Sequence, residues 1–597
     1  MRHASLRTLL VAASALIAVP VLAQEAVQPP LVPAPQEAAP PPAPMVVTID
    51  DEEAAAPTIE PIPRVWAPVP SNGRGESAYG LYLSARSALS RGETEVGAEY
   101  LTAVEALTPE QPLVQDQAFI AALLAGDLDV AARITPSSSD TAPVITQAGA
   151  LVSAVQSFVG GDARAANDAL KANPIGPPHA RAGALISPWI AAAAGDWDRA
   201  LVEPNPTGDP LIYLFGRYHR ALLLEHRRRY DDADIALKAL SDNPRTAPLF
   251  RAAYGEFLER RGRRDEALAL YDAAIAAGGA DAGISRARNR VIARGRPPAL
   301  PDYRTGTAKA LTAAAAQASA EGAKELAVVY YRLSLNLKRD PETTYLLGQA
   351  LGQADMDRAS RAVLADVGVE SGDIYAAAQV QLGLGLAEDG ETDAALSAFS
   401  RAQAATPGDP RIAYVTASQL IALKRYDDAL ALLNGPLLDT AEQSPAVRFM
   451  RGAAYESTSR VPEAEAELWA ALQAQPDEPA FLNYLGYLWV DTGTRVEEGA
   501  AMIARAHSAD PDDGNIQDSL GWSQYRQGQY DVAVETLEQA VAKEPANAEI
   551  NDHLGDAYWQ VGRRREAGFQ WSRVLTLDPD AERRAEVERK IADGLDL

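Results

Sequence analysis

The sequence predicts an all-α fold, an α-α superhelical solenoid of about fourteen helix hairpins, and three observations carry that expectation. Glycines and other small residues recur with a period of about 34 residues. The chain, at 597 residues, is longer than one compact core usually organises. Hydrophobic residues make up 47% of it and aromatics only 6%, a mixture that suits helices packed through small side chains better than a β-rich core. The formal net charge of -26 repels a polyanion, so no nucleic acid partner is expected and basic or neutral partners fit better.

From the N-terminus, Arg2, His3 and Arg7 precede an apolar run over 9–19, and Val21-Leu22-Ala23 stand before Gln24. That order of charge, apolar run and small residues reads as a secretory signal peptide over 1–23, whether cleaved or kept as an anchor. The run is too short to span a bilayer comfortably, and no later stretch reaches about 20 apolar residues, so no transmembrane segment is expected in the mature chain. Cysteine is absent. Disulfides, thiolate chemistry and cysteine metal sites are therefore excluded, as is a lipid on an N-terminal cysteine, and a periplasmic, non-lipidated protein is expected. Residues 24–77 carry Pro29-Pro30, Pro40-Pro41-Pro42 and Asp50-Asp51-Glu52-Glu53. Such a stretch buries too little apolar surface to order itself and reads as a disordered, acidic Pro/Ala-rich linker.

An N-terminal solenoid is expected over 78–281, where Gly92, Gly126, Gly161, Gly195 and Gly262 keep one register, each followed five positions later by Gly or Ala. Tyr230 and Ala233 mark the repeat whose glycine is missing. A C-terminal solenoid is expected over 308–581, where Gly383, Ala417, Gly452, Gly486, Gly521 and Gly555 lie 34 or 35 residues apart. Ala395, Ala429, Ala464, Ala533 and Ala567 follow in phase, and Pro407, Pro476, Pro511, Pro545 and Pro579 close the units. Removing one side chain and shrinking another lets two antiparallel helices approach, while Tyr271, Phe399, Leu537 and Trp571 fill the remaining space. Proline lacks the donor that would continue the second helix. The period and pattern are similar to those of tetratricopeptide repeats. Between the solenoids, Arg294-Gly295-Arg296-Pro297-Pro298 and Pro301 break the period and predict an irregular connector over 282–307. Residues 582–597 alternate charged and apolar positions and predict a capping helix.

No nucleophile elbow, P-loop, zinc-protease helix or dinucleotide fingerprint is found, so no enzyme activity and no cofactor are expected. His219 and His226 lie two turns apart on one predicted helix, a spacing that fits a solvated face better than a chelate, and no metal is expected. Asp510-Pro511-Asp512-Asp513-Gly514 lacks the spacing of a calcium loop and reads as an inter-repeat turn.

Two surfaces stand out for binding. Arg227, Arg228 and Arg229 lie one period from Arg261, Arg263 and Arg264, each set near the turn between two helices. Stacking should align them into a basic ridge fit for an acidic partner or an anionic surface, or simply balanced by Asp231, Asp232, Asp265 and Glu266. The first helix of each hairpin should line an inner groove. In the last three units its inward positions hold Asn483, Tyr487, Asp491, Asp518, Trp522, Tyr525, Arg526, Asp552, Asp556 and Trp559. Aromatics beside hydrogen-bonding groups suit a peptide groove, though the same rings also suit packing between neighbouring helices.

The segments Asn483-Tyr484-Leu485-Gly486-Tyr487, Asp518-Ser519-Leu520-Gly521-Trp522 and Asn551-Asp552-His553-Leu554-Gly555-Asp556, followed by Phe569-Gln570-Trp571, resemble proteobacterial envelope tetratricopeptide proteins. That group includes lipoprotein adaptors of carboxy-terminal processing proteases. The resemblance implies an exported scaffold or adaptor that binds protein or peptide partners in the cell envelope and presents substrates to a protease. The absent cysteine departs from the lipoprotein pattern. The other expectation is a structural component of envelope-assembly or polysaccharide-export machinery.

Overall fold

The computed structural model describes residues 70–597 apart from 137–140, 279–281, 441–442, 578, 580 and 596–597. The expected signal peptide, and the expected linker up to residue 69, lie outside the described residues. Every named element among them is helical; pairing of extended backbone is confined to the single bridge between Ser71 and Ser77.

Among the described residues fourteen hairpins follow one another, from Ala78–Ser90 with Thr94–Leu107 to Ala548–Gln560 with Arg564–Thr576. In each, the two helices join through a residue in the left-handed conformation. Ten of these residues are glycines, running from Gly92 (φ 72°) to Gly562 (φ 84°), and the other four are Arg228, Asp355, Lys424 and Ser459. A side chain at such φ normally meets the following carbonyl, which is why glycine predominates. The glycine register of 78–281 is thus a series of turns. Arg228 occupies the turn whose glycine is missing, with φ 59°.

The C-terminal register has another cause. A Cβ added to Gly452 would stand 2.6 Å from Leu468, one on Gly521 2.6 Å from Leu537, and one on Gly383 2.8 Å from Phe399. Gly255 and Gly555 face Tyr271 and Trp571 still more closely. In every pair the large residue follows sixteen positions after the glycine and fills the volume its side chain would take. The phased alanines Ala395, Ala429, Ala464, Ala533 and Ala567 are completely buried. Second helices end at Ala405, Ala474, Ala509 and Lys543, each two residues before its proline.

The described chain divides into two compact units, at 362/363. The expected boundary at 282–307 is corrected in two ways. Helix Ala282–Ile292 occupies its first part, and the hairpin Tyr303–Ala320 with Lys324–Leu337 belongs to the first unit rather than opening a second solenoid. This hairpin packs on the first helices of earlier repeats. Gly306 lies against the Trp189 ring, the Tyr330 hydroxyl meets His179 Nδ1 at 2.9 Å, and Asn336 donates to Gln156 at 2.8 Å. Arg181 ties Asp209 to Glu321, and the Pro301 carbonyl accepts from His226 at 2.8 Å. The face used is small, with Ala310, Ala314 and Ala315 buried, so the backbones come close enough for dense packing. Past Ile292 the chain turns back through Pro297, Pro298 and Pro301, and the expected irregular connector is confined to this stretch before Tyr303.

In the second unit, 363–597, a continuous core runs from Ala413 to Ile516, and a further cluster joins the last two hairpins to Val587 of the closing helix Ala581–Asp593. The expected cap at 582–597 thus begins in that helix, which packs on the final repeat.

Identical substitutions separate the two roles of glycine. Gly555→Ala, forced against Trp571, should destabilise the last repeat by about 1–3 kcal/mol, read as a lower urea midpoint by tryptophan fluorescence. Gly568→Ala, in helix Arg564–Thr576 with no neighbour within 4 Å, should leave the midpoint unchanged or raise it by up to about 1 kcal/mol.

Candidate functional site

The ten residues expected to line an inner groove do come together in the second unit, but chiefly with one another and with the closing helix. Asp518, Asp552, Asp556, Asn483 and Trp522 are buried. Their helices, Pro479–Thr492, Gly514–Arg526 and Ala548–Gln560, present these positions to neighbouring first helices, where the carboxylates find partners while Asn483 Oδ1 and Trp522 Nε1 are buried without one. His553 donates through Nδ1 to Asp518 at 3.0 Å. The Trp522 ring, 4% exposed, stacks on His553 at 4.1 Å and on Tyr525 at 4.7 Å. The Tyr487 hydroxyl donates to Glu549 at 3.1 Å, a contact that skips one repeat.

The closing helix completes this seam. Lys590 lies 2.8 Å from Asp552 and 2.9 Å from both oxygens of Asp556, which also accepts from the Trp571 indole at 3.0 Å. Arg583 approaches Glu549 and Asp552 at 3.9 Å each. An open groove lined by these buried residues is therefore corrected: their side chains are taken up in packing between repeats, because unpaired burial of each charge would cost several kcal/mol. The remaining four lie at the rim. Arg526 donates to the Asp491 carbonyl at 2.8 Å, Tyr525 accepts from Gln560 at 3.3 Å, and Trp559 lies between Trp571 and Arg564.

Burial raises the Asp518 carboxyl, and it raises Asp556 to about 6 against the pull of Lys590. Burial alone would lower His553, yet the Asp518 carboxylate outweighs it, helped by Glu549 and Asp552, and holds the imidazole up at about 9. Burial would likewise lower Lys590, but Asp556 and Asp552 keep it raised. Sequence reasoning missed His553, Glu549, Arg583 and Lys590. The signal available was the density of carboxylates at inward positions, which demands cations wherever those positions close.

The predicted solvated face at His219 is also corrected. His219 is buried against Trp189 and Tyr218, neither ring nitrogen has a partner, and burial lowers it to about 3. Among the described residues no three metal-capable side chains gather. The turn at 510–514 caps a helix: Asp513 accepts from the amides of Asn515 and Ile516.

The six arginines of the expected ridge all lie at turns of the first unit. Arg229 pairs with Asp232 at 2.7 Å, and Arg263 with Asp234 and Glu266 at 2.7 Å each. Arg264 donates to the Gly295 carbonyl at 3.2 Å. Arg227 lies over Trp197, Arg261 lies over Tyr230, and Arg228 is exposed.

The His553–Asp518 pair sets a pH dependence. A histidine raised from 6.5 unfolded to about 9 folded adds stability that is complete below pH 6.5 and lost as pH rises through 9. The unfolding free energy of the last repeats, read from urea titrations, should fall over that window by on the order of 3 kcal/mol, and His553→Gln should flatten the profile.

Two family models match the chain, one described as TPR repeat over residues 523–562 and one as tetratricopeptide repeat over 386–454. TPR repeat-containing protein PA4667 of Pseudomonas aeruginosa is 34% identical over 134 residues, which cover 22% of this chain and 20% of that protein. The chain thus spans about a fifth of the length of the curated relative it matches. Solved structures similar to it include the APC/C hetero-tetramer Cut9-Hcn1, at TM-score 0.35 and 12% identity over 87% of this chain and 96% of that one. MamA AMB-1 matches at TM-score 0.23 and 23% identity over 27% and 93%. YrrB, a TPR protein with an unusual peptide-binding site, matches at TM-score 0.25 and 18% identity over 32% and 99%. The family matches fall on helix hairpins joined at Gly390, Lys424 and Gly528 and packed at Gly383 and Gly452, so these segments of the chain are similar to tetratricopeptide repeats in both sequence and helical packing.

Proposed function

We propose that the chain is an exported scaffold or adaptor that binds protein or peptide partners in the cell envelope, and that presentation of substrates to a protease is its specific task. The observation that supports this reading is the division of labour within each repeat. The Gly–large-residue contacts at Gly255, Gly383, Gly452, Gly521 and Gly555 and the phased alanines build the core between the helices of their hairpins, so turns there are left to meet other molecules. The matched families are repeat families. The signal-like order of residues 1–23 supports export, and among the described residues no helix is long and apolar enough to cross a membrane.

Closure of the inner seam at Asp518, Trp522, Asp552 and Asp556 moves the partner surface outward. Trp522→Ala should therefore act first on stability, with a cost of about 3–5 kcal/mol, and on partner recovery only through loss of folded protein.

The test joins location to association. The mature chain should begin at Gln24, be released with periplasmic contents, and elute from gentle envelope extracts with a defined protein complex. A chain found with Met1 intact in the cytosol would overturn export. Elution alone, at every protein concentration and salt, would overturn the scaffold reading. An unchanged half-life of every envelope protease substrate in a strain lacking the chain would remove the protease task.

A further inference from the structure

The arginines of the ridge are of two sorts. Arg229 is neutralised by Asp232 of its own repeat, and Arg263 by Glu266 of its own repeat and Asp234 of the preceding one. Arg227 and Arg261 lie over aromatic rings instead: the guanidinium carbon is 4.9 Å from the Trp197 ring centre in one case and 3.6 Å from the Tyr230 ring centre in the other. Stacking fixes a guanidinium yet leaves its in-plane N–H donors outward. Among the described residues, neither guanidinium makes a hydrogen bond or an ion pair, nor do those of Arg228 and Arg294, and all four residues are exposed.

These residues follow one line. Trp197 stands just after the turn at Gly195, Arg227 and Arg228 form the next turn, Tyr230 follows it, and Arg261 adjoins the turn at Gly262. The bond from Arg264 to the Gly295 carbonyl sets Arg294 beside that turn. Arg228 and Arg294 hold left-handed backbone, φ 59° and 54°, where neighbouring turns use glycine. A side chain there costs about 1–2 kcal/mol, and strain of this kind points to a use for the side chain.

We propose that Arg227, Arg228, Arg261 and Arg294 form a ladder of unpaired guanidiniums that binds an acidic, extended segment of a partner protein; the proposal rests on the scaffold reading for the existence of that partner. Planar in-plane donors match carboxylates two-to-two. Rungs separated by a helix-packing distance of about 10 Å meet every third residue of an extended strand rising about 3.3 Å per residue. The ladder is narrow, and Asp231 and Asp265 stand exposed beside it on a chain of net charge -26. A strand with spaced carboxylates avoids them, whereas a broad anionic membrane surface does not.

The test measures fluorescence anisotropy of a fluorescein-labelled peptide with glutamate at every third position, titrated with the full chain. Arg228→Gly with Arg261→Gln keeps both turns and should weaken binding at least about tenfold, with an unchanged melting profile. Arg229→Gln, at a paired position, should change it less than about twofold. Binding should also weaken as salt rises. Equal affinity of the double variant overturns the proposal, as does preference for vesicles of phosphatidylglycerol over the peptide. So does an affinity that rises about tenfold when Asp50, Asp51, Glu52 and Glu53 are neutralised, since the chain's own acidic run would then be the occupant. If the double variant still elutes with the envelope complex and the peptide fails to bind, the ladder falls and the scaffold stands. If the peptide binds but the chain elutes alone from envelope extracts, the scaffold falls and the ladder stands.

Discussion

The close approach of two helices at a missing side chain is the constraint on which each repeat depends. At Gly383, Gly452, Gly521 and Gly555 the backbone of the first helix touches Phe399, Leu468, Leu537 and Trp571 of the second, and no methyl group fits between them. Gly486 reaches the same separation by other means: a Cβ there would stand 2.8 Å from the Gly499 carbonyl oxygen and 3.3 Å from Met502. What is preserved is the distance between helices, and different residue pairs supply it. The contact closes within one hairpin, while the core itself continues from one hairpin to the next, so stability accumulates along the chain from both terms.

That distance has a consequence for the inner face of the last repeats. Hairpins packed this tightly bring successive first helices against each other, and positions that look inward on one repeat become interior between two. Asp518, Asp552 and Asp556 are tolerated there because His553, Lys590 and the Trp571 indole meet them with good geometry. A seam of this kind is sensitive to register, since a shift of one residue would leave several buried charges without partners. The closing helix is part of the same constraint: without Lys590 and Arg583, the carboxylates of Ala548–Gln560 would face the end of the stack alone.

Much of the fold was legible in the sequence because its defining contacts lie within one period. Gly521 and Leu537, or Gly555 and Trp571, stand sixteen residues apart, and the phased alanines and prolines sit inside the same window. The return of Tyr303–Leu337 onto Gln156, His179 and Trp189 left no comparable trace, since residues 151 and 180 positions apart share no periodic pattern. The two glycine series looked alike as letters, although one answers to backbone chirality at turns and the other to space between helices. Closure of the groove was hidden for a further reason. Whether Trp522 faces solvent or His553 depends on the rotation between repeats, which no single repeat encodes, while the unpaired carboxylates were the visible warning. The arginine ridge was legible as a line of charge, but not which of its members are neutralised at home.

The freedom of a repeat protein to acquire binding function lies where its packing makes no demand. The inter-helix contact admits only small residues, Gly or Ala as at Ala417, opposite the second helix, and the inner seam of the last repeats pairs its buried charges. Turns carry neither restriction. Their one requirement is left-handed backbone, a local cost that any residue can meet if the rest of the hairpin is stable enough, as Asp355, Lys424 and Ser459 do. Arg228 and Arg294 therefore need not be read as lapses in the pattern. In this architecture a turn is the position where a charged side chain is gained with the smallest disturbance to the core, and stacking repeats such turns at a fixed interval. Recognition assembled this way reads the spacing of charges along a partner, which is a property of an extended segment rather than of a folded surface.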